Sequence, residues 1–137
     1  MSTNATLRIC SSQEMRSLDE IAEKDYGIDA ALLMENAGRA AAQVLLEDYP
    51  EAGRDTEILV FAGKGNNAGD AFVVARRLMC LERRVRVFHI GDATTYSGAT
   101  LKNFRILEKL KARMTPIDNV GDLESYFRSS PGPFTIV

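Results

Sequence analysis

From residue 12 onward the chain alternates between two spacings of apolar residues. Met15, Leu18, Ile21 and Ala22 recur at three- and four-residue steps, which predicts a helix over residues 12–24. Ser11 and Glu14 stand at capping-box spacing at its start, and Gly27 is placed to close it. Residues 1–9, before it, are polar and mixed and read as an arm. A second helical run has Asp29 as its expected N-cap. It carries Leu32, Leu33, Met34, Ala37, Ala40, Ala41, Val44 and Leu45, and ends before Pro50. The pattern then changes. Residues 58–62 form a short apolar run that reads as a strand. It breaks at Gly63-Lys64-Gly65-Asn66-Asn67-Ala68-Gly69-Asp70, and a helical pattern resumes through Phe72, Val73, Ala75 and Leu78. Asp70 is where that helix is expected to begin, as its N-cap.

Residues 85–90 predict a second strand, ending at Gly91-Asp92. Ser97 is placed to cap a further amphipathic helix with Leu101, Phe104, Leu107 and Leu110 inward. Residues 114–117 read as a short extended piece, and residues 122–128 as a short helix with Leu123, Tyr126 and Phe127 inward. Residues 129–133 carry turn chemistry, and residues 134–137 begin another strand. Alternating strands and helices imply an α/β fold: a Rossmann-like parallel sheet with flanking helices, in the order α-α-β-α-β-α-β, with right-handed crossovers. Ligands of such sheets bind at the carboxyl ends of strands. The final strand reaches no loop of that kind, so residues 1–137 are expected to be the N-terminal portion of one such domain, truncated at its C-terminus.

Composition narrows the function classes. The chain is 45% hydrophobic and carries a net charge of −2, with a pI near 5.5. It has no general electrostatic reason to bind nucleic acid or an acidic membrane. The basic run Arg83-Arg84-Val85-Arg86 reads as a solvated strand entry. Cys10, Cys80 and His89 stand at no metal-site spacing, and Cys80 falls on an apolar helix side as a small core residue. No apolar run has the length of a membrane span and no signal peptide is visible, so a cytoplasmic location is expected.

The chemistry concentrates in residues 63–70. A strand, a glycine-rich turn and a helix together hold anions, because bare backbone approaches the ligand and the helix N-terminus offers unpaired N–H groups. Gly63, Gly65 and Ala68 satisfy the dinucleotide fingerprint in its G-x-G-x-x-A form, with Asp92, at the end of the next strand, roughly where the fingerprint expects an acidic ribose partner. An NAD-binding turn does not ask for two adjacent carboxamides. The oxygens of Asn66 and Asn67 could coordinate a hard cation, and their amide groups could donate to phosphate or hydroxyl. The plainer alternatives are positive-φ turn residues for the asparagines and an N-cap for Asp70. In the alanine-rich helix, Glu35 is expected to face water and Asn36 to cap or bond a neighbouring turn. The small residues around Gly38 favour packing on a neighbouring element, with a homodimer seam as the second expectation.

The residues 63–71, followed by Ala75-Arg76-Arg77-Leu78, resemble the GxGNNGGDG…ARxL signature of the YjeF N-terminal domain family, the NAD(P)HX epimerases. Leu33-Met34-Glu35-Asn36-Ala37-Gly38 is similar to that family's LMENAG helix, and Ser97-Gly98-Ala99 through Asn103 to its segment before the next helix. The resemblance implies a Rossmann-like fold and interconversion of the R and S epimers of hydrated NADH or NADPH. This is a cofactor-repair step that lets a stereospecific dehydratase, often fused downstream, restore the cofactor. It implies that Asn66, Asn67, Ala68, Gly69 and Asp70 contact the substrate, with backbone N–H groups on the phosphates, and that Asn67 is also a ligand of a potassium ion. Ala68 and Ala71 depart from the signature, which has glycine at both places. If position 68 needs positive φ, Ala68 would be strained by about 1 kcal/mol or more; if it only permits close approach, the methyl group would crowd the phosphate. In the family an acidic loop supplying a further potassium ligand, and the acid/base residues, follow the last strand, so the catalytic residues are expected beyond Val137. Two other functions compete. One is a non-catalytic binding or dimerisation module on this fold. The other is part of an NAD-dependent oxidoreductase, in which the asparagine pair and the LMENAG helix have no role.

Overall fold

The computed structural model describes residues 9–130 and 132–137. They fall into two compact units divided after Leu33. In the first, α1 (Ser12–Tyr26) starts at a complete capping box between Ser11 and Glu14 and closes on Gly27, whose φ of 67° supplies the left-handed cap. No residue of α1 is buried. Helix α2 (Ala30–Asp48) spans the division, and the Asp29 carboxylate accepts from the Leu32 N–H at 2.8 Å, as expected of an N-cap. The polar arm of the sequence lies, apart from Ile9, outside the described residues, as does Pro131 in the turn before the last strand.

The second unit holds β1 (Glu57–Ala62), α3 (Asn66–Cys80), β2 (Val85–His89), α4 (Gly98–Lys109), β3 (Arg113–Pro116), α5 (Val120–Ser129) and β4 (Phe134–Ile136). The strands form one parallel sheet in the order β3-β2-β1-β4. The chain steps outward from β1 to β2 to β3, then returns through α5 to place β4 on the far side of β1. The strand order therefore reverses at β1, and the crevice of a doubly wound sheet opens where it reverses, outside the carboxyl ends.

The two faces of the sheet differ. Ile58, Val60 and Ala62 of β1 and Val85 and Val87 of β2 pack with Phe72 and Leu78 of α3 and Phe104 and Leu107 of α4, all buried. The opposite face carries Leu59, Phe61 and Phe88, with Tyr126 of α5 set edge-on against Phe88. Glu57 at the head of β1 fastens α5 to this face. Its carboxylate accepts from the Tyr126 hydroxyl at 2.8 Å and pairs with Arg113 at 3.1 Å and Arg86 at 3.4 Å. Burial alone would raise the Glu57 pKa, but these three partners outweigh it and hold it below the ordinary 4.5. Of the basic run, Arg84 is exposed as expected, whereas Arg83 donates to the Ala52 carbonyl and Arg86 lies over the Tyr126 ring.

Several expectations are corrected here. Cys80 is exposed rather than core. It ends α3 two residues, about 200° of helix, past the fully buried Leu78. Glu35 does not simply face water, because it forms an ion pair with Arg76 of α3. Asn36 stands exposed in mid-helix, where there is no helix end for it to cap. Ser97 takes the N-cap position of α4, but its side chain makes no capping bond. The next residue, Gly98, has a φ of +51°, which takes the backbone out of the usual geometry for that bond.

Candidate functional site

Three residues, Gly63 to Gly65, connect the carboxyl end of β1 to α3. Helix α3 begins at Asn66, four residues before the expected start at Asp70. Asn66 and Asn67 are its first two residues and are exposed; neither has the positive φ of a turn residue. Asp70 is the fifth residue of the helix and half-buried, so it is not the N-cap. That place belongs to Gly65, which has no side chain with which to satisfy the first N–H groups. The N–H groups of Asn66 and Asn67 precede the first intrahelical bonds, and the positive end of the helix dipole lies with them.

The glycines of this stretch serve different ends. Gly65 has a φ of 77°, a conformation that strains other residues. Gly63 has no such φ, and a Cβ added there meets no atom within 4 Å, so its bareness leaves open surface. Gly69 is buried, and a Cβ there would run into the Met34 side chain of α2 and come within 2.8 Å of Thr100 Oγ1 of α4. Ala68 is also fully buried, with its methyl in the core beside Phe72 and Ala75. It is helical without positive φ, so the strain conditional on that geometry does not arise. Its N–H donates to the Gly65 carbonyl at 3.2 Å. Of the five positions expected to bind substrate, Asn66 and Asn67 present side chains to solvent, Asp70 does so partly, and Ala68 and Gly69 are turned into the fold.

Two residues that the sequence did not single out stand behind the loop. The Tyr96 hydroxyl donates to the Ile90 carbonyl at 2.8 Å and lies 3.3 Å from the Gly63 carbonyl oxygen. Burial, with the Asp92 charge second, raises its pKa and keeps it a donor. Thr100 Oγ1 donates to the Gly65 carbonyl at 3.2 Å. The contacts to Gly63 and Gly65 span more than thirty residues, and no local pattern signals them. Asp92, the candidate ribose partner, uses its carboxylate to close its own turn. It accepts from the Thr94 N–H at 2.8 Å and hydroxyl at 2.6 Å, and these bonds, the hydroxyl first, lower its pKa. Beside Gly63, on the α5 face, is a cavity of about 460 Å³ whose lining includes Phe61, Ile90, Ile117 and Leu123.

For potassium, Asn67 offers one exposed carboxamide oxygen of a suitably hard, neutral kind. Among the described residues no cluster of three or more His, Cys, Asp or Glu side chains surrounds it, and the helix N-terminus itself repels a cation. Asn67 therefore fits as a single ligand, and the described residues do not complete a coordination shell.

The sequence model of the family described as YjeF-related protein N-terminus matches residues 30–137. The chain belongs to this family. Its relatives include an NAD(P)H-hydrate epimerase of Elusimicrobium minutum, 36% identical over 102 residues, covering 72% of this chain and 45% of that protein. A bifunctional NAD(P)H-hydrate repair enzyme Nnr of Moorella thermoacetica is 33% identical over 106 residues, covering 77% of this chain and 20% of that protein. The crystal structure of the yeast protein ynu0 superimposes with a TM-score of 0.73 at 27% identity, covering 86% of this chain and 51% of that one. The YjeF-related chain thus spans between a fifth and about half of the length of these relatives. The fold expectation, a Rossmann-like parallel sheet with flanking helices, is met.

Proposed function

We propose that the protein containing this chain is an NAD(P)HX epimerase, interconverting the R and S forms of hydrated NADH and NADPH in cofactor repair. The observation that carries this reading is the bare loop at residues 63–65, placed where the strand order reverses and leading into a helix whose first N–H groups have no side-chain cap. Such a loop suits the pyrophosphate of a dinucleotide. The names of the relatives supply the substrate class.

In this reading the N–H groups at the start of α3 take the pyrophosphate, and the side chains of Asn66, Asn67 and Asp70 meet the substrate. Ala68 and Gly69 contribute backbone and close packing rather than side-chain contact. Potassium is part of the proposal, with the Asn67 oxygen as one ligand; bound there, it would supply positive charge beside the phosphates. Partners in the reading are a fused or separate NAD(P)HX dehydratase, on the pattern of the relatives named as bifunctional, and a second copy of the chain. Gly38 is buried against α3 and cannot form a seam, so a homodimer through α2 would use its exposed face at Ala37, Ala41 and Val44. No helix among the described residues is long and apolar enough to cross a membrane, and a cytoplasmic site of action belongs to the proposal.

The test supplies purified S- or R-NADHX to the intact protein and follows the epimer ratio by chromatography. Equilibration faster than the spontaneous rate is expected, and its absence sinks the reading. Asn67→Ala should lower the potassium-dependent part of the activity by about tenfold, on the scale of one lost hydrogen bond to a charged group. An unchanged potassium response would remove Asn67 from the site.

A further inference from the structure

Behind the anion loop, two hydroxyl groups hold backbone carbonyls that the proposed chemistry does not otherwise use. Thr100 is buried in the first turn of α4, and its Oγ1 donates to the Gly65 carbonyl oxygen and would stand 2.8 Å from a Cβ on Gly69. Tyr96, also buried, reaches the Gly63 carbonyl oxygen while bonded to Ile90. The peptides that follow Gly63 and Gly65 are trans. In a planar trans peptide the C=O and the N–H of the next residue point in opposite directions. A carbonyl tied back into the fold, by Tyr96 before α4 or by Thr100 in it, therefore turns the N–H of the following residue outward. For Gly63 that is the N–H of Lys64, and for Gly65 it is the N–H of Asn66, both on exposed residues. Because Gly63 and Gly65 carry no side chains, packing of their own cannot fix these peptide planes. The Gly65 carbonyl is held from within α3 by the Ala68 N–H at 3.2 Å and from α4 by Thr100 as a second donor, while the Gly63 carbonyl is held by Tyr96.

We propose that Thr100 and Tyr96 are positioning residues of the loop: by holding the Gly65 and Gly63 carbonyls they aim the Asn66 and Lys64 N–H groups at a bound pyrophosphate. The two are not equal. Thr100 gives its one proton to Gly65 alone. Tyr96 has one proton for two carbonyls and is nearer Ile90, so its hold on Gly63 is the weaker. Pre-aimed donors need no reorientation when the anion arrives, and they act alike on ground state and transition state. Losing them raises KM more than it lowers kcat. The inference rests on the cofactor-repair reading for its ligand, yet is tested separately from it.

The experiment titrates inorganic pyrophosphate into the intact protein by calorimetry, alongside a thermal melt of each variant. Thr100→Val keeps the shape of the side chain and removes the donor. It should weaken pyrophosphate binding about tenfold, and Thr100→Ser should recover affinity to within about twofold of the wild type. In the epimer assay Thr100→Val should raise KM by a similar factor with kcat nearly unchanged. Wild-type affinity in Thr100→Val, or a Thr100→Ser protein as weak as Thr100→Val, overturns the proposal, as does a wild-type protein that takes up no pyrophosphate. If Thr100→Val does not fold, Tyr96→Phe decides, with about a two- to threefold loss of affinity expected and an unchanged affinity overturning the proposal. Pyrophosphate binding that depends on Thr100 in a protein without epimerase activity would sink the cofactor-repair reading alone. Epimerase activity indifferent to Thr100 would sink the positioning role alone.

Discussion

Ala68 illustrates how a motif position can have different meanings in sequence and in structure. As a departure from glycine beside a phosphate loop it invites the idea of a strained or crowded site. In the fold it is the third residue of α3, fully buried, with its methyl in the core. Restoring the signature residue would therefore do harm. Ala68→Gly removes a buried methyl and adds backbone freedom to a helix, each worth about 1 kcal/mol, so a loss of about 1–2 kcal/mol is expected. Urea denaturation measures it; a variant as stable as the wild type would show that the methyl contributes nothing. Gly65 is the reverse case, since its φ of 77° is a conformation that glycine adopts without strain.

Among the elements, the contact between α2 and α3 explains why two separate motifs occur in one chain. Met34 of α2 fills the space over Gly69 of α3, Gly38 of α2 lies against Val73 of α3, and Glu35 pairs with Arg76. The LMENAG segment and the GDA…ARRL segment are thus the two sides of one helix–helix contact, with a glycine on each side. An added Cβ at Gly38 would stand 2.5 Å from Cβ of Val73, an atom fixed to its backbone and unable to rotate away. Gly38→Ala gains about 1 kcal/mol of helix propensity, but overpacking of this kind costs about 1–3 kcal/mol. A net loss in thermal stability is expected, and a stabilised Gly38→Ala protein would refute the tight contact. The elements themselves were legible from spacing, caps and turn residues: Ser11 with Glu14, Asp29, Gly27 and the apolar run 58–62 all mark real boundaries. The start of α3 was not, because glycine and asparagine are poor helix formers and the Asn-Asn-Ala-Gly stretch reads locally as a turn. The capping box of Asn119 and Asp122, which begins α5 at Val120, was available in the sequence at the right spacing and was missed.

For the molecule as a whole, α/β character could be read from alternating patterns, but the place of β4 beside β1 could not, since no local signal encodes strand order. The Glu57 clasp is likewise a product of the whole sheet, joining the first, second and third strands to α5. Its carboxyl pKa is lower in the folded state than in the unfolded chain, so the clasp stabilises fully above the ordinary value of 4.5 and is lost as pH falls through the folded value. Tyr126→Phe removes one of the bonds that lower it, at a cost of about 1 kcal/mol near neutrality. Chemical denaturation between about pH 3 and 7 should show a shallower acid decline in Tyr126→Phe than in the wild type. Parallel curves would mean that Glu57 does not titrate with the clasp. The candidate site was legible as a loop with chemistry, while Tyr96 and Thr100, which come to it from another turn of the chain, were not.

The division of labour among the glycines bears on how copies of this domain diverge. Gly38 and Gly69 are required by the seam between two helices, and that requirement outlasts any ligand. Nothing inside the fold asks for glycine at Gly63. A descendant that kept the architecture for some other purpose would thus be free to acquire a side chain at Gly63 first, while Gly38 and Gly69 stayed in place. Under the proposed function, the residue found at that one position is therefore a better record of whether a lineage keeps the nucleotide site than the survival of the motif around it.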